Sequence, residues 1–173
     1  MIGLPGREET AAYYYRYIDR ISSDDVVWEL EAQFQALPPF FRGIGEEKSL
    51  HRYAPEKWSI RQVLNHINDC ERLTVFRAFW FAREFSSPLP SFDQNIAISA
   101  AHADQISWAR HIDEFLAIRE ATLTFFHNLP QEAWMRTGIA SDNPFTVRSL
   151  AYIAAGHVAH HVAILREQYL QTS

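Results

Sequence analysis

Apolar residues return at steps of three and four through four long stretches of this chain, the spacing of helices with one buried face. Val27, Leu30, Phe34 and Leu37 mark the first, with Ser23 or Asp24 placed to cap it. Pro38-Pro39 should end or kink that helix, although Phe40, Phe41 and Ile44 suggest a further turn. The second begins at Ser59, where Gln62 three residues on has the form of a capping box. Ile60, Val63, Leu64, Ile67, Thr74, Ala78 and Phe81 then trace one face to about Arg83. Ser107 opens the third, carried by Trp108, Ile112, Phe115, Leu116, Arg119, Leu123 and Phe126 at helical spacing to about Asn128. The fourth runs from about Thr146 to Leu170.

The connections are more polar. Gly45 to Lys57 has no sustained period. Ser86 to Ile98 holds Pro88 and Pro90 and reads as a loop, with a short helix expected near Gln94 to Ala101. Pro130 to Trp134 reads as a single turn with Pro at its first position. Thr137 to Pro144 reads as a second loop, and no segment alternates in a way that predicts a strand. Residues 1–23, with Tyr13, Tyr14, Tyr15 and Tyr17, read as an aromatic arm packed on the body, and residues 24–173 as one domain. Four amphipathic helices joined this way predict an all-α four-helix bundle, a fold that builds sites from side chains on facing helices.

Composition narrows the function. A chain of 173 residues that is 47% hydrophobic has the means to bury one core. Its 16 basic residues against 21 acidic ones leave no surplus for a nucleic-acid face. The single cysteine, Cys70, excludes a disulfide within the chain and any multi-cysteine zinc site, and fits a reducing compartment. No apolar run approaches the roughly 18 residues of a membrane span. The expectation is a cytoplasmic protein with neither membrane nor nucleic acid as partner.

The chemistry concentrates in Gly156-His157-Val158-Ala159-His160-His161. At about 100° per residue, His157 and His161 lie about 40° apart, on the stripe that carries Leu150, Ile153, Ala154, Ile164 and Leu165. Imidazoles one turn apart can converge on one metal ion. Equally, they can be core histidines bonded to backbone, Tyr or Asp. His66, near the edge of the second helix's inward face, is the best third ligand for a site with three protein ligands and an open position. Its plainer reading is a half-buried polar residue. His160 points about 60° away from His157 and is expected to support the ligands or to pack at an interface. His51, His102, His111 and His127 lack a companion at ligand spacing and read as surface or packing residues. Cys70, one turn from His66, reads as structural. Asp69, one turn from His66, is the nearest general base or supporting partner in sequence, and its plainer reading is a solvent-facing helix residue; Asp93, Gln94 and Asn143 fall in loops expected to line the mouth of such a site. There is no Gly-rich phosphate loop, no Gly-x-Ser-x-Gly elbow, no His-Glu-x-x-His and no Glu-x-x-His.

Three segments together carry a family resemblance: Lys57-Trp58-Ser59 running into the helix of His66, the loop Pro90-Ser91-Phe92-Asp93-Gln94-Asn95, and Gly156 to His161. In this order they resemble the DinB-like superfamily, the DinB/YfiT-type four-helix bundles, over about Asp24 to Leu170. The resemblance implies an up-up-down-down bundle, usually a homodimer, with a divalent metal on His66, His157 and His161. Asn65 departs from the small residue frequent before the first His. Zn is the default metal for three nitrogens, with Ni, Fe or Mn open. The activity implied is that of a metal-dependent enzyme acting on a small molecule, either a thiol S-transferase using a low-molecular-weight thiol or a hydrolase. The alternative is a non-enzymatic, dimeric, stress-associated binding protein whose metal is structural or vestigial.

Overall fold

A computed structural model of the chain describes residues 2–171. One short turn, α1 (Tyr15–Ile18), precedes α2 (Val26–Arg42), α3 (Ile60–Ala82), α4 (Gln94–Ala101), α5 (Trp108–His127) and α6 (Val147–Ile164). A π-helical turn, Leu165–Tyr169, continues α6.

The helix starts follow their side chains. Asp25 caps α2 by accepting from Trp28 N–H at 3.1 Å, one residue beyond the expected Ser23 or Asp24. Ser59 and Gln62 form the anticipated capping box, and Thr146 forms a second with Ser149. Ser107 stands at the start of α5, but it is Glu46 that accepts the Trp108 N–H, at 3.0 Å. Pro38 and Pro39 do not stop α2, which continues to Arg42. They fall in its last turns, where burial of Leu37, Pro38 and Phe41 outweighs two missing backbone donors.

α2, α3, α5 and α6 form the four-helix bundle, with directions set by their contacts. Leu30 and Phe41 of α2 meet Arg119 and Trp108 of α5, so those two helices are antiparallel. Trp58, just before α3, meets Tyr169, and His66 meets His157, so α3 opposes α6. Asn68 and Phe79 meet His111 and Phe125, so α3 and α5 run together. The order along the chain is therefore up-down-down-up, which corrects the up-up-down-down order. Only one connection, residues 83–107 with α4 inside it, travels the length of the bundle. The other two join helix ends at the same pole, and such links make antiparallel neighbours.

The expected second loop contains a hairpin. β1 (Thr137–Ala140) pairs antiparallel with β2 (Asn143–Thr146), and Ser141 and Asp142 both take left-handed conformations, as a two-residue hairpin turn requires. Four-residue strands are too short to show alternation, and Gly138 and Pro144 weaken what signal there is. Gly138 is needed, because a Cβ there would lie 2.0 Å from the Phe81 ring.

The apolar core divides into two clusters. One gathers Val26, Leu30, Phe81, Phe126, Leu150 and Tyr152; the other gathers Phe41, Ile60, Leu64, Trp108, Phe115 and Leu165. Between them lies a belt of buried polar side chains: Gln33, His66, Glu71, Arg119, Thr122 and His157. Arg119 makes a two-pronged pair with Glu71 at 2.8 and 2.7 Å and also donates to Gln33 Oε1 and the Leu30 carbonyl.

The N-terminal segment lies along α6. Glu9 pairs with Arg148 and accepts from the Thr146 hydroxyl at 2.6 Å. Tyr15, Ile18 and Ile21 are buried. Gly156 admits the Tyr17 carbonyl, whose oxygen would sit 2.1 Å from a Cβ.

Candidate metal centre

Because α3 and α6 are antiparallel, the second turn of α3 faces the third turn of α6. His66, His157 and His161 meet there, each offering a ring nitrogen within 4.8 Å of the others. His157 Nε2 lies 3.1 Å from His66 Nε2. Ring centroids are 4.9 Å apart for His66–His157 and His66–His161, and 4.5 Å for His157–His161. A tetrahedral zinc with bonds of about 2.0–2.1 Å spaces its nitrogens about 3.3 Å apart. The donor set therefore fits a divalent ion in chemistry and in spacing.

The electrostatics agree. Burial, then the neighbouring His160, lowers the His66 pKa to about 4. Burial, then the nearness of His66, His160 and Arg20, lowers His161 to about 3. Burial and the same cluster hold His157 well below its ordinary value. All three are neutral at pH 7, with lone pairs available for a ligand role.

The rings are held from several sides. Trp58 tilts against His66 at 4.9 Å. Tyr17 sets its ring edge-to-face with His157 at 5.2 Å and with His160 at 5.4 Å. Cys70 Sγ lies 3.6 Å from His66 Nδ1 and 3.7 Å from Nε2, packed between the two nitrogens. Burial raises that thiol's pKa to about 12, so Cys70 is a neutral packing group.

A cavity of about 150 Å³ opens onto His66 and His157. Tyr13, Tyr14 and Tyr17 form one wall; Cys70, Thr74 and Arg77 of α3 form another; Phe92, Gln94 and Ser141 close it. Of the loop residues expected at the mouth, only Gln94 lines it. Asp93 instead caps α4 by accepting from Asn95 and Ile96, and Asn143 donates to the Ser141 carbonyl. Asp69 is not brought to the histidines either. It is 60° round the helix from His66 and faces Arg72, 3.6 Å away, with Glu114 and His111 nearby. His111 is fully buried, with Nε2 3.0 Å from the Ala103 carbonyl. Tyr17 and Arg77 are site residues that spacing did not reveal. Tyr17 reaches the centre from the arm, and Arg77 lies three turns beyond His66 on the same face of α3.

The fold has a counterpart among solved structures. YfiT from Bacillus subtilis, described as a probable metal-dependent hydrolase with an unusual four-helix bundle topology, superposes with a TM-score of 0.64 at 14% identity. The match covers 95% of this chain and 93% of that one. No curated protein matches in sequence. The family model of the DinB superfamily matches residues 29–165, most of the bundle and all three histidines, and the chain belongs to that superfamily.

Proposed function

We propose that this protein is a metal-dependent enzyme whose ion is held by His66, His157 and His161. The observation that carries the reading is the convergence of three imidazoles, two buried and one half-buried, with ring nitrogens within 4.8 Å of one another, beside a cavity. Zn suits three nitrogens best, and Ni, Fe and Mn compete for the same set. When bound, a divalent ion there supplies Lewis acidity to a water or a thiol at the position facing the cavity.

The chain's own residues do the rest. Trp58 and Tyr17 fix the ring planes of His66 and His157, so the donor atoms are oriented before any ligand arrives. The tyrosine wall and Phe92 limit water around the reacting atoms. No carboxylate lines the cavity among the described residues, so the chain offers no acidic general base and proton removal rests on the centre itself. Hydrolysis is the leading reaction class, supported by the likeness to YfiT. Transfer of a low-molecular-weight thiol to an electrophile uses the same open position. A homodimer in the cytoplasm completes the proposal.

Elemental analysis tests the centre: His157→Ala should lose the metal while its far-ultraviolet circular dichroism stays helical. A variant that keeps its metal refutes the ligand set. Turnover of an activated ester, or of a thiol with a haloaromatic, should follow metal content. Rates indifferent to metal refute the enzymatic reading.

A further inference from the structure

Three arginines of the described chain are buried, and two have an acid beside them. Arg61 pairs with Glu46, and Arg119 with Glu71. Arg77 is 6% exposed and pairs with no carboxylate among the described residues. Its Nη2 donates to the Pro90 carbonyl at 3.0 Å and to Ser141 Oγ at 2.8 Å, while its Nε is buried with no partner at all. A guanidinium stays charged at any ordinary pH. A buried charge without a counter-ion is a large penalty that a protein tolerates only where something offsets it.

The offset is indicated by place. Arg77 lines the same cavity as His66 and His157, and the lining has no Asp or Glu to neutralise it. We propose that Arg77 is the receptor for the carboxylate of a small, elongated substrate whose opposite end reaches the three histidines. This rests on the reading of the histidines as the reactive centre. A guanidinium is a charge-assisted donor to a carboxylate, and Nη1, which makes neither the Pro90 nor the Ser141 bond, is the nitrogen left to meet one. Arg77 is the single cation of the lining, which suits a monoanion better than a phosphate dianion, for which several donors usually gather. The Pro90 carbonyl and the Ser141 hydroxyl both accept from Nη2 and give the guanidinium one orientation. A volume of about 150 Å³ admits a ligand of benzene-like bulk, and eleven residues of helix separate Arg77 from His66, so a chain-like shape is selected.

Pentanoate, pentanamide and inorganic phosphate are suitable probes, followed by ligand-observed NMR and calorimetry on the whole chain with and without Zn. The wild type should bind pentanoate, and pentanamide and phosphate more weakly. Arg77→Gln should weaken pentanoate binding by roughly tenfold to a hundredfold while leaving pentanamide unchanged. Arg77→Lys, which keeps the charge and guards against misfolding of the Gln variant, should fall between. Equal pentanoate binding in wild type and Arg77→Gln, no binding to the wild type, or a preference for phosphate overturns the proposal. Metal content separates this from the centre itself: it should be unchanged in Arg77→Gln. Pentanoate binding that survives in His157→Ala would uphold the receptor even if the metal reading failed.

Discussion

Gly156→Ala has two opposing predictions of its sign, and the structure chooses between them. In a helix interior, Ala is favoured over Gly by about 1 kcal/mol, so an α6 free on that face would gain stability. In the folded chain the new Cβ would lie 2.1 Å from the Tyr17 carbonyl oxygen and 2.5 Å from its carbon. Both are backbone atoms, so no rotamer relieves the overlap. The arm must retreat by on the order of 1 Å, an overpacking cost of about 3 kcal/mol. Undocking the arm entirely is worse, because Tyr15, Ile18 and Ile21 would each forfeit about 1.5–3 kcal/mol of burial. The net expectation is a shifted arm and a loss of about 2 kcal/mol, or a Tm lower by roughly 4–8 °C for a chain of this size. Urea denaturation of the metal-free protein, with wild type alongside, measures it. A variant more stable than wild type would mean that Tyr17 does not lie on α6, and with it would go the arm's role as a wall of the cavity.

Arg119→Met should destabilise by about 3–5 kcal/mol, because the Glu71 carboxylate stays buried without its partner, whereas adding Glu71→Leu should restore most of the loss in a chemical melt. For pH the sign is set by His66, whose folded pKa of about 4 lies below its unfolded value near 6.5. The unfolded chain then takes up protons first, so metal-free stability is full above pH 6.5 and declines towards pH 4; His66 alone contributes about 2 kcal/mol of that decline by pH 5. His66→Gln should flatten that part of the profile, and an unchanged slope would contradict the burial argument. Zn at a hundred times its dissociation constant should raise wild-type stability by about 2.7 kcal/mol and leave His157→Ala unmoved, as read by thermal scans.

What the sequence disclosed depended on range. The start of α3 was plain because Ser59 and Gln62 signal within one turn, and His157 and His161 were plain because their spacing is a helix period. Convergence with His66 follows from two inward helix faces together with the three family motifs. The rest lies beyond local pattern. Arg119 meets Glu71, 48 positions away, and Arg148 meets Glu9, 139 positions away, and no periodicity announces either. Nearness along the chain points to Asp69 as a partner of His66, but a 60° turn of the helix carries its carboxylate towards Arg72 instead. Helix directions depend on which connection crosses the bundle, and that is decided by where residues 83–107 pack.

The polar belt between the two apolar clusters also acts as a vernier. Sliding any one helix by a turn, about 5.4 Å, would carry a member of the belt into hydrocarbon and bring an aliphatic side chain against a charge or an imidazole. Arg119 would then face the layer of Phe115 or Phe126 with no acid, and His66 would lose His157. The aliphatic layers alone tolerate such sliding, since one leucine resembles the next. The same buried groups that bring the histidines level with one another therefore fix the alignment of the whole bundle, so the precision of the centre and the uniqueness of the fold have one origin.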